Sequence, residues 1–223
     1  MKRSTWQDLF ATVIILLPLL YLFLVYDQLP AKVPVHFGIN GQPNGFVSNN
    51  LTWLPIGGLA ALAMACYLLF RNIHRIDPKR QVRISSAAFI KIGLAIVLLL
   101  SALSVYILYS ATHGNIGLAR LVYALLGLFF FYIGNLMYSI KPNYFVGIRI
   151  PWTLDDEENW RATHQFAGKL WFALGLIICI CTLLLPVRIG VILFMVCTAL
   201  LTVLPIVYSF LFWRRKKRSE HQL

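Results

Sequence analysis

The sequence predicts an all-α integral membrane protein. Six transmembrane helices are expected, with a small extracytoplasmic β-hairpin-like loop and a cytoplasmic loop carrying an interfacial amphipathic helix. Three observations predict it. The 223 residues are 59% hydrophobic and only 13% charged, and mean hydropathy is +0.74, whereas soluble domains carry about 45–50% apolar and about 25% charged residues. Six apolar runs reach the roughly 20 residues that a helix needs to cross a hydrocarbon core of about 30 Å. Lys and Arg gather on one side of those runs, as the positive-inside rule requires.

The runs are 9–28, 51–70, 87–109, 116–140, 167–186 and 189–213. The first is too long for a signal-peptide core, and no small-x-small cleavage site follows it, so it is expected to remain as a helix. The last two nearly touch at Leu185-Pro186-Val187-Arg188, which predicts a tight helical hairpin. The spans use most of the chain and leave no room for a soluble domain.

With the N-terminus inside, Lys2, Arg3, Arg71, Arg75, Lys79, Arg80 and Arg83 fall on the inner side. Lys141, Arg149, Arg161, Lys169 and the basic run at 214–218 join them. Only Lys32 and Arg188 fall outside, with Arg120 one turn into the fourth run. Both termini and the 141–166 segment are therefore expected to face the cytoplasm. The same reading divides the chain into a two-helix unit (1–70) with an outer loop at 29–50, a basic linker (71–86), and a four-helix unit (87–223) with the inner loop.

The net charge of +12 follows from this topology, because basic loops lie against anionic headgroups of the membrane lipids. No direct nucleic-acid partner is expected. The tail beginning WRRKKR reads as a stop-transfer anchor. Cys66, Cys179, Cys181 and Cys197 all lie in the apolar runs without metal-ligand spacing. They read as small apolar residues, and neither a metal nor a cofactor is expected.

The outer loop reads LPAKVPVHFGINGQPNGFVSNN. Val33, Val35 and Phe37 alternate with Pro34 and His36, a strand-like period. Asn40-Gly41 is the dipeptide favoured in hairpin turns, and Asn44-Gly45 is a second turn signal. Pro34 confines its strand to an edge. His36 points away from Val35 and Phe37, as a solvated or hydrogen-bonded loop histidine or as a ligand contact. No second His, Cys or acid lies near it in sequence.

The inner segment runs from Gly134 to Trp171. Pro142 is expected to end the fourth helix, and Ile150 is held extended by Pro151. Thr153 then reads as an N-cap, with Asp156 completing a capping-box pattern. The four acids at 155–158 suit the first helical turn through the dipole, or serve a cation or a basic partner. Glu157, Trp160, His164, Ala167 and Trp171 share one helix face. That helix is expected at the interface, where Trp is common, before turning into the fifth span with Gly168 permitting close packing. Arg161 can pair weakly with Glu157. Glu157 and His164 are roughly 10 Å apart along the helix, too far to share a metal. Arg149 lies in an apolar extended stretch near the membrane, where an unpaired guanidinium is costly. It is expected to pair with a carboxylate or a ligand anion. Asn135, inside the fourth run, is expected to face the bundle interior. The candidate ligand- or partner-binding residues are thus His36, Asn135, Asn143, Arg149, Trp152, Glu157, Trp160 and His164. None is assigned a catalytic role.

Gly134-Asn135, Lys141-Pro142-Asn143, Gly147-Ile148-Arg149, Pro151-Trp152, Trp160 and His164 together resemble the signature of the SdpI family of bacterial membrane immunity proteins. Leu29-Pro30, Pro34, His36-Phe37 and Gly41 are similar to the small domain of unknown function often found at that family's N-terminus. The resemblance implies protection of a bacterium from a secreted antimicrobial peptide toxin. It implies a multi-pass place in the cytoplasmic membrane, the toxin as a partner on the outer face, and an ArsR-like regulator as a partner on the inner face. The competing class is a small transporter, or a membrane-embedded enzyme using the loop of His164, Glu157 and Arg149. Against an enzyme, no nucleophile motif, metal triad or phosphate loop is present in the sequence. Against a transporter, acids are absent from within the spans, Asp8 and Asp27 lying only at the ends of the first.

Overall fold

The computed structural model describes residues 5–38, 42–76, 86–114 and 119–220. Seven α-helices are present among them: α1 (Thr5–Val25), α2 (Trp53–Ile76), α3 (Ser86–His113), α4 (Ala119–Met137), α5 (Pro151–Leu154), α6 (Glu157–Leu184) and α7 (Val187–Glu220). Two strands, β1 (Lys32–Phe37) and β2 (Pro43–Ser48), lie between α1 and α2. All the helices but α5 are long and apolar enough to cross a membrane. The predicted class, an all-α membrane protein with one small hairpin, is the class found. The turn dipeptide Asn40-Gly41, the basic residues Lys2, Arg3, Lys79, Arg80 and Arg83, and the expected start of the fourth span at 116 lie outside the described residues.

The chain forms two compact units. The first comprises residues 1–72 and 90–122. At one end of it Ala11 and Ile15 of α1 pack with Ala63 and Tyr67 of α2 and Val97 of α3. The Asp8 carboxylate locks that end. It accepts from the Tyr67 phenol at 2.7 Å and takes the Arg71 guanidinium in a two-point contact, at 2.9 and 3.0 Å. Such forked pairing fixes orientation as well as charge, and an acid in the first turn of α1 also suits that helix's dipole. A second cluster joins Leu22 and Val25 of α1 to Val33 of β1, Ile56 of α2 and Leu108 of α3, which seats the hairpin on the helices.

The strands are antiparallel, with Val33 opposite Val47, Pro34 opposite Phe46 and His36 opposite Gly45. The register slips on either side of His36, and the Gly38 N–H donates to the Gln42 carbonyl at 2.8 Å to close the loop. Asn44-Gly45, expected as a second turn, lies within β2 instead. The glycine is there for space. A Cβ on Gly45 would lie 2.8 Å from the His36 Cβ.

The second unit comprises residues 73–89 and 123–223. In it α4 and α6 meet backbone to backbone. A Cβ on Gly134 would fall 2.5 Å from the Phe172 amide nitrogen, and one on Gly175 would fall 2.3 Å from that of Phe131. Gly127 and Gly168 complete the seam. Lipid provides no hydrophobic drive between helices, so close packing of small residues supplies the association. Ile178, Cys197 and Leu201 form the core between α6 and α7, with Phe130 and Trp171 against it.

The last two helices do form the tight hairpin read from the sequence, separated only by Leu185 and Pro186. One bond between them has a specific cause. Pro205 lies inside α7 and has no N–H, so the carbonyl of Leu201 loses its ladder donor. The Trp171 indole of α6 donates to that carbonyl at 3.0 Å. In a membrane a freed backbone group must find such a partner inside the protein.

Candidate functional site

The site is built where α6 begins and α7 ends, around the segment linking α4 to α6. Helix α4 stops at Met137, earlier than the predicted boundary at Pro142. Ser139 and Ile140 N–H groups donate to the Leu136 and Met137 carbonyls and tighten its last turn.

Asn143 then organises the loop. Its side-chain amide donates to the carbonyls of Lys141 at 2.8 Å and Val146 at 3.0 Å. Its side-chain oxygen accepts from the N–H groups of Phe145 and Val146, both at 2.8 Å. That engages both donors and both lone pairs, and the residue is buried. Asn143 thereby gives four groups of irregular backbone, on Lys141, Phe145 and Val146, the partners that a helix would otherwise supply.

Gly147 follows with φ +124°, a conformation that side chains disfavour. A Cβ there would lie 2.4 Å from the His164 Nε2 and 3.0 Å from the Trp160 ring. The backbone therefore passes directly over two α6 side chains. Beyond it the Ile148 N–H donates to His164 Nε2 at 3.0 Å. His164 Nδ1 donates to the Trp160 carbonyl at 2.8 Å. One ring nitrogen donates and the other accepts, so the imidazole is neutral with its proton on Nδ1. It stacks on the Trp160 ring at 4.1 Å between centroids, and the Trp160 indole donates to the Ile140 carbonyl at 2.9 Å. Trp160 and His164, one helical turn apart, thus staple both ends of the loop to α6. Both side chains are buried, and their ring N–H and N groups are already engaged.

The start of the helix differs from expectation. The sequence reading placed the N-cap at Thr153. Instead Thr153 is the third residue of the short helix α5, which opens at Pro151, a favoured first position. The Thr153 hydroxyl accepts from the Ile150 N–H at 3.1 Å and donates to the Ile148 carbonyl at 2.7 Å. The N-cap of α6 is Asp156, whose carboxylate accepts from the Glu158 N–H at 2.9 Å. The acid run also meets a basic partner within this chain. Lys216 of α7 contacts Asp156 at 2.8 Å and Glu158 at 3.0 Å. Burial alone would raise the Asp156 carboxyl pKa. Hydrogen bonds from Lys216 and from the Glu158 and Asn159 amides outweigh this and hold it below the usual value.

The remaining candidates separate by position. Trp152 rests on Phe210 and Trp213 of α7, with ring centroids 5.6 and 6.1 Å away. Its buried indole N–H has no hydrogen-bond partner among the described residues. Glu157 is exposed and lies 3.9 Å from Arg161. Arg149, expected to pair with an anion, is exposed and donates to the Tyr144 carbonyl. Its stretch lies at the surface, so the guanidinium needs no carboxylate to offset burial. Asn135, expected in the interior, is exposed too. Gly134 takes the contact with α6, and one residue further the helix has turned by about 100°. His36 belongs to the first unit, where its ring bonds to the Asn44 side chain.

Sequence reasoning missed a second fastening. Asn159, one position off the Trp160 face, donates to the Ser209 carbonyl at 3.1 Å. Its side-chain oxygen accepts from the hydroxyls of Thr163 and Ser209, both at 2.9 Å. All three residues are fully buried. The available signal was a polar pair four residues apart leading into an apolar run, since polar groups in spans bond across helices.

Beside the staple is an open cleft lined by Tyr138, Lys141, Pro142, Glu157, Arg161 and Gln165, with Trp160 and His164 as its floor.

Six apolar helices, and a loop pinned to the head of one of them, define a multi-pass membrane protein. Residues 139–209 match the model of the SdpI/YfhL protein family. Residues 13–59 match a domain of unknown function, DUF1648. The chain is 27% identical over 176 residues to "Immunity protein SdpI" of Bacillus subtilis (strain 168), covering 78% of this chain and 80% of that relative. The chain is thus similar to the SdpI/YfhL family over its C-terminal third and to DUF1648 near its N-terminal end. The family match spans the stapled loop, α5, α6 and most of α7. No solved structure matches the chain.

Proposed function

We propose that this protein confers immunity to a secreted antimicrobial peptide toxin without acting as an enzyme. The likeness to the immunity protein across most of both chains carries this reading. The asymmetry of Lys and Arg supports an orientation in a bacterial cytoplasmic membrane with both termini inside. That orientation turns the β1–β2 hairpin outward, where His36 and Asn44 meet the peptide. It turns the stapled loop inward, where a regulator of the ArsR type docks. Arg149 and Glu157 are the candidates on that inner face with exposed charge. Asn143, Trp160 and His164 hold the loop in shape for them. The unit that carries the hairpin, residues 1–72 and 90–122, then acts as the recognising part, and the unit of residues 73–89 and 123–223 as the responding part.

Expression in a toxin-sensitive host tests the proposal. Survival should rise by orders of magnitude over the empty vector. Equal killing with the protein present in the membrane contradicts it.

A further inference from the structure

We infer that the cleft at the head of α6 binds the phosphate of an anionic phospholipid. This goes beyond the immunity reading and does not depend on it.

Two cations from different segments line the cleft, Lys141 from the loop and Arg161 from α6, against one carboxylate, Glu157. Arg161 makes one long contact with Glu157, at 3.9 Å, and both side chains are about two-thirds exposed. Most of the five guanidinium donors are left for an incoming anion. Tyr138 and Gln165 add neutral donors at the rim. The floor cannot compete for the ligand. His164 has both nitrogens engaged, and the Trp160 indole donates to Ile140. The cleft is therefore a cationic rim over a neutral aromatic floor, with Ile140 and Pro142 as an apolar wall.

Its depth favours a lipid over a free anion. Helix α4 ends at Met137, one residue before Tyr138, and the apolar run of α6 begins at residue 167, two residues after Gln165. A cleft where two spans end lies at headgroup level, where lipid phosphates are concentrated. Tyr138 is 72% exposed there, as aromatic residues at the interface are.

The test uses the purified full chain in phosphatidylcholine nanodiscs titrated with fluorescent phosphatidylglycerol. Lys141→Gln with Arg161→Gln should weaken binding about tenfold, equivalent to about 1.4 kcal/mol. Lys217→Gln with Arg218→Gln removes the same charge outside the cleft, and affinity should stay within about twofold. Glu157→Gln removes an exposed carboxylate without disturbing the fold and should tighten binding about threefold. Equal losses in the two double variants would reduce the effect to general charge and overturn the inference. Unchanged or weaker binding by the Glu157→Gln protein would do the same. Inorganic phosphate competing at the lipid's own affinity would assign the cleft to a free anion instead.

Discussion

At the scale of single residues, the chemistry-bearing side chains of the inner motif hold backbone. Asn143, Trp160, His164 and Thr153 each bond to main-chain groups of the segment between α4 and α6. Trp160→Phe keeps the stack on His164 but removes the donor to Ile140. A buried carbonyl left unpaired costs about 1–3 kcal/mol, so the purified variant should melt lower than the parent. An unchanged melting temperature would mean the carbonyl finds another donor. Asp156 predicts a pH effect. Its folded pKa lies below its unfolded value, so its contribution is complete above the ordinary carboxylate range, near pH 4. It is lost as pH falls through the lowered value. Asp156→Asn should flatten the acid limb of a stability-against-pH curve and leave the neutral limb parallel. Equal acid sensitivity in both proteins would place the titration elsewhere. The sequence made Trp160 and His164 legible because two large polar-tipped rings one turn apart have no reason to sit in a simple connector. It misplaced the cap because Thr153 and Asp156 are both good caps within one turn. Pro151 decides between them by opening a separate short helix.

At the scale of elements, helix contacts in the second unit depend on missing atoms. Glycines bring α4 against α6, and a missing proline N–H brings Trp171 against α7. Trp171→Phe should cost about 1–3 kcal/mol by stranding the Leu201 carbonyl. In a Pro205→Ala background the ladder donor returns, and the same substitution should cost little. The double-mutant cycle should therefore give a coupling of about 1 kcal/mol or more. Additive losses would mean the indole bond is incidental. The six spans were legible because twenty-residue apolar runs have one reading. The seam of Gly127, Gly134, Gly168 and Gly175 was read only at Gly168, since glycine in an apolar run does not announce its facing helix. Asn159 and Ser209 are 50 positions apart, and that pairing carries no local signal. The Asn44-Gly45 dipeptide misled because a glycine needed for cross-strand space looks the same as one needed for a turn.

At the scale of the whole molecule, hydropathy and charge carry membrane residence and the expected orientation. In a cysteine-free background, Asn44→Cys should label only from outside and Asp155→Cys only from inside. Labelling of both from one side would overturn the arrangement in which the hairpin and the loop face opposite compartments. That arrangement is the basis of the proposed division between toxin recognition and inner response. The most direct measurement is survival of a toxin-sensitive host at matched membrane abundance of the parent, His36→Gln and Arg149→Lys proteins. His36→Gln changes the ring that bonds Asn44 on the hairpin. Arg149→Lys keeps the charge but loses the planar fork. The parent should protect by orders of magnitude, and each variant should lose most of that protection while staying folded. Killing of the parent-expressing host, or full protection by both variants, would contradict the account.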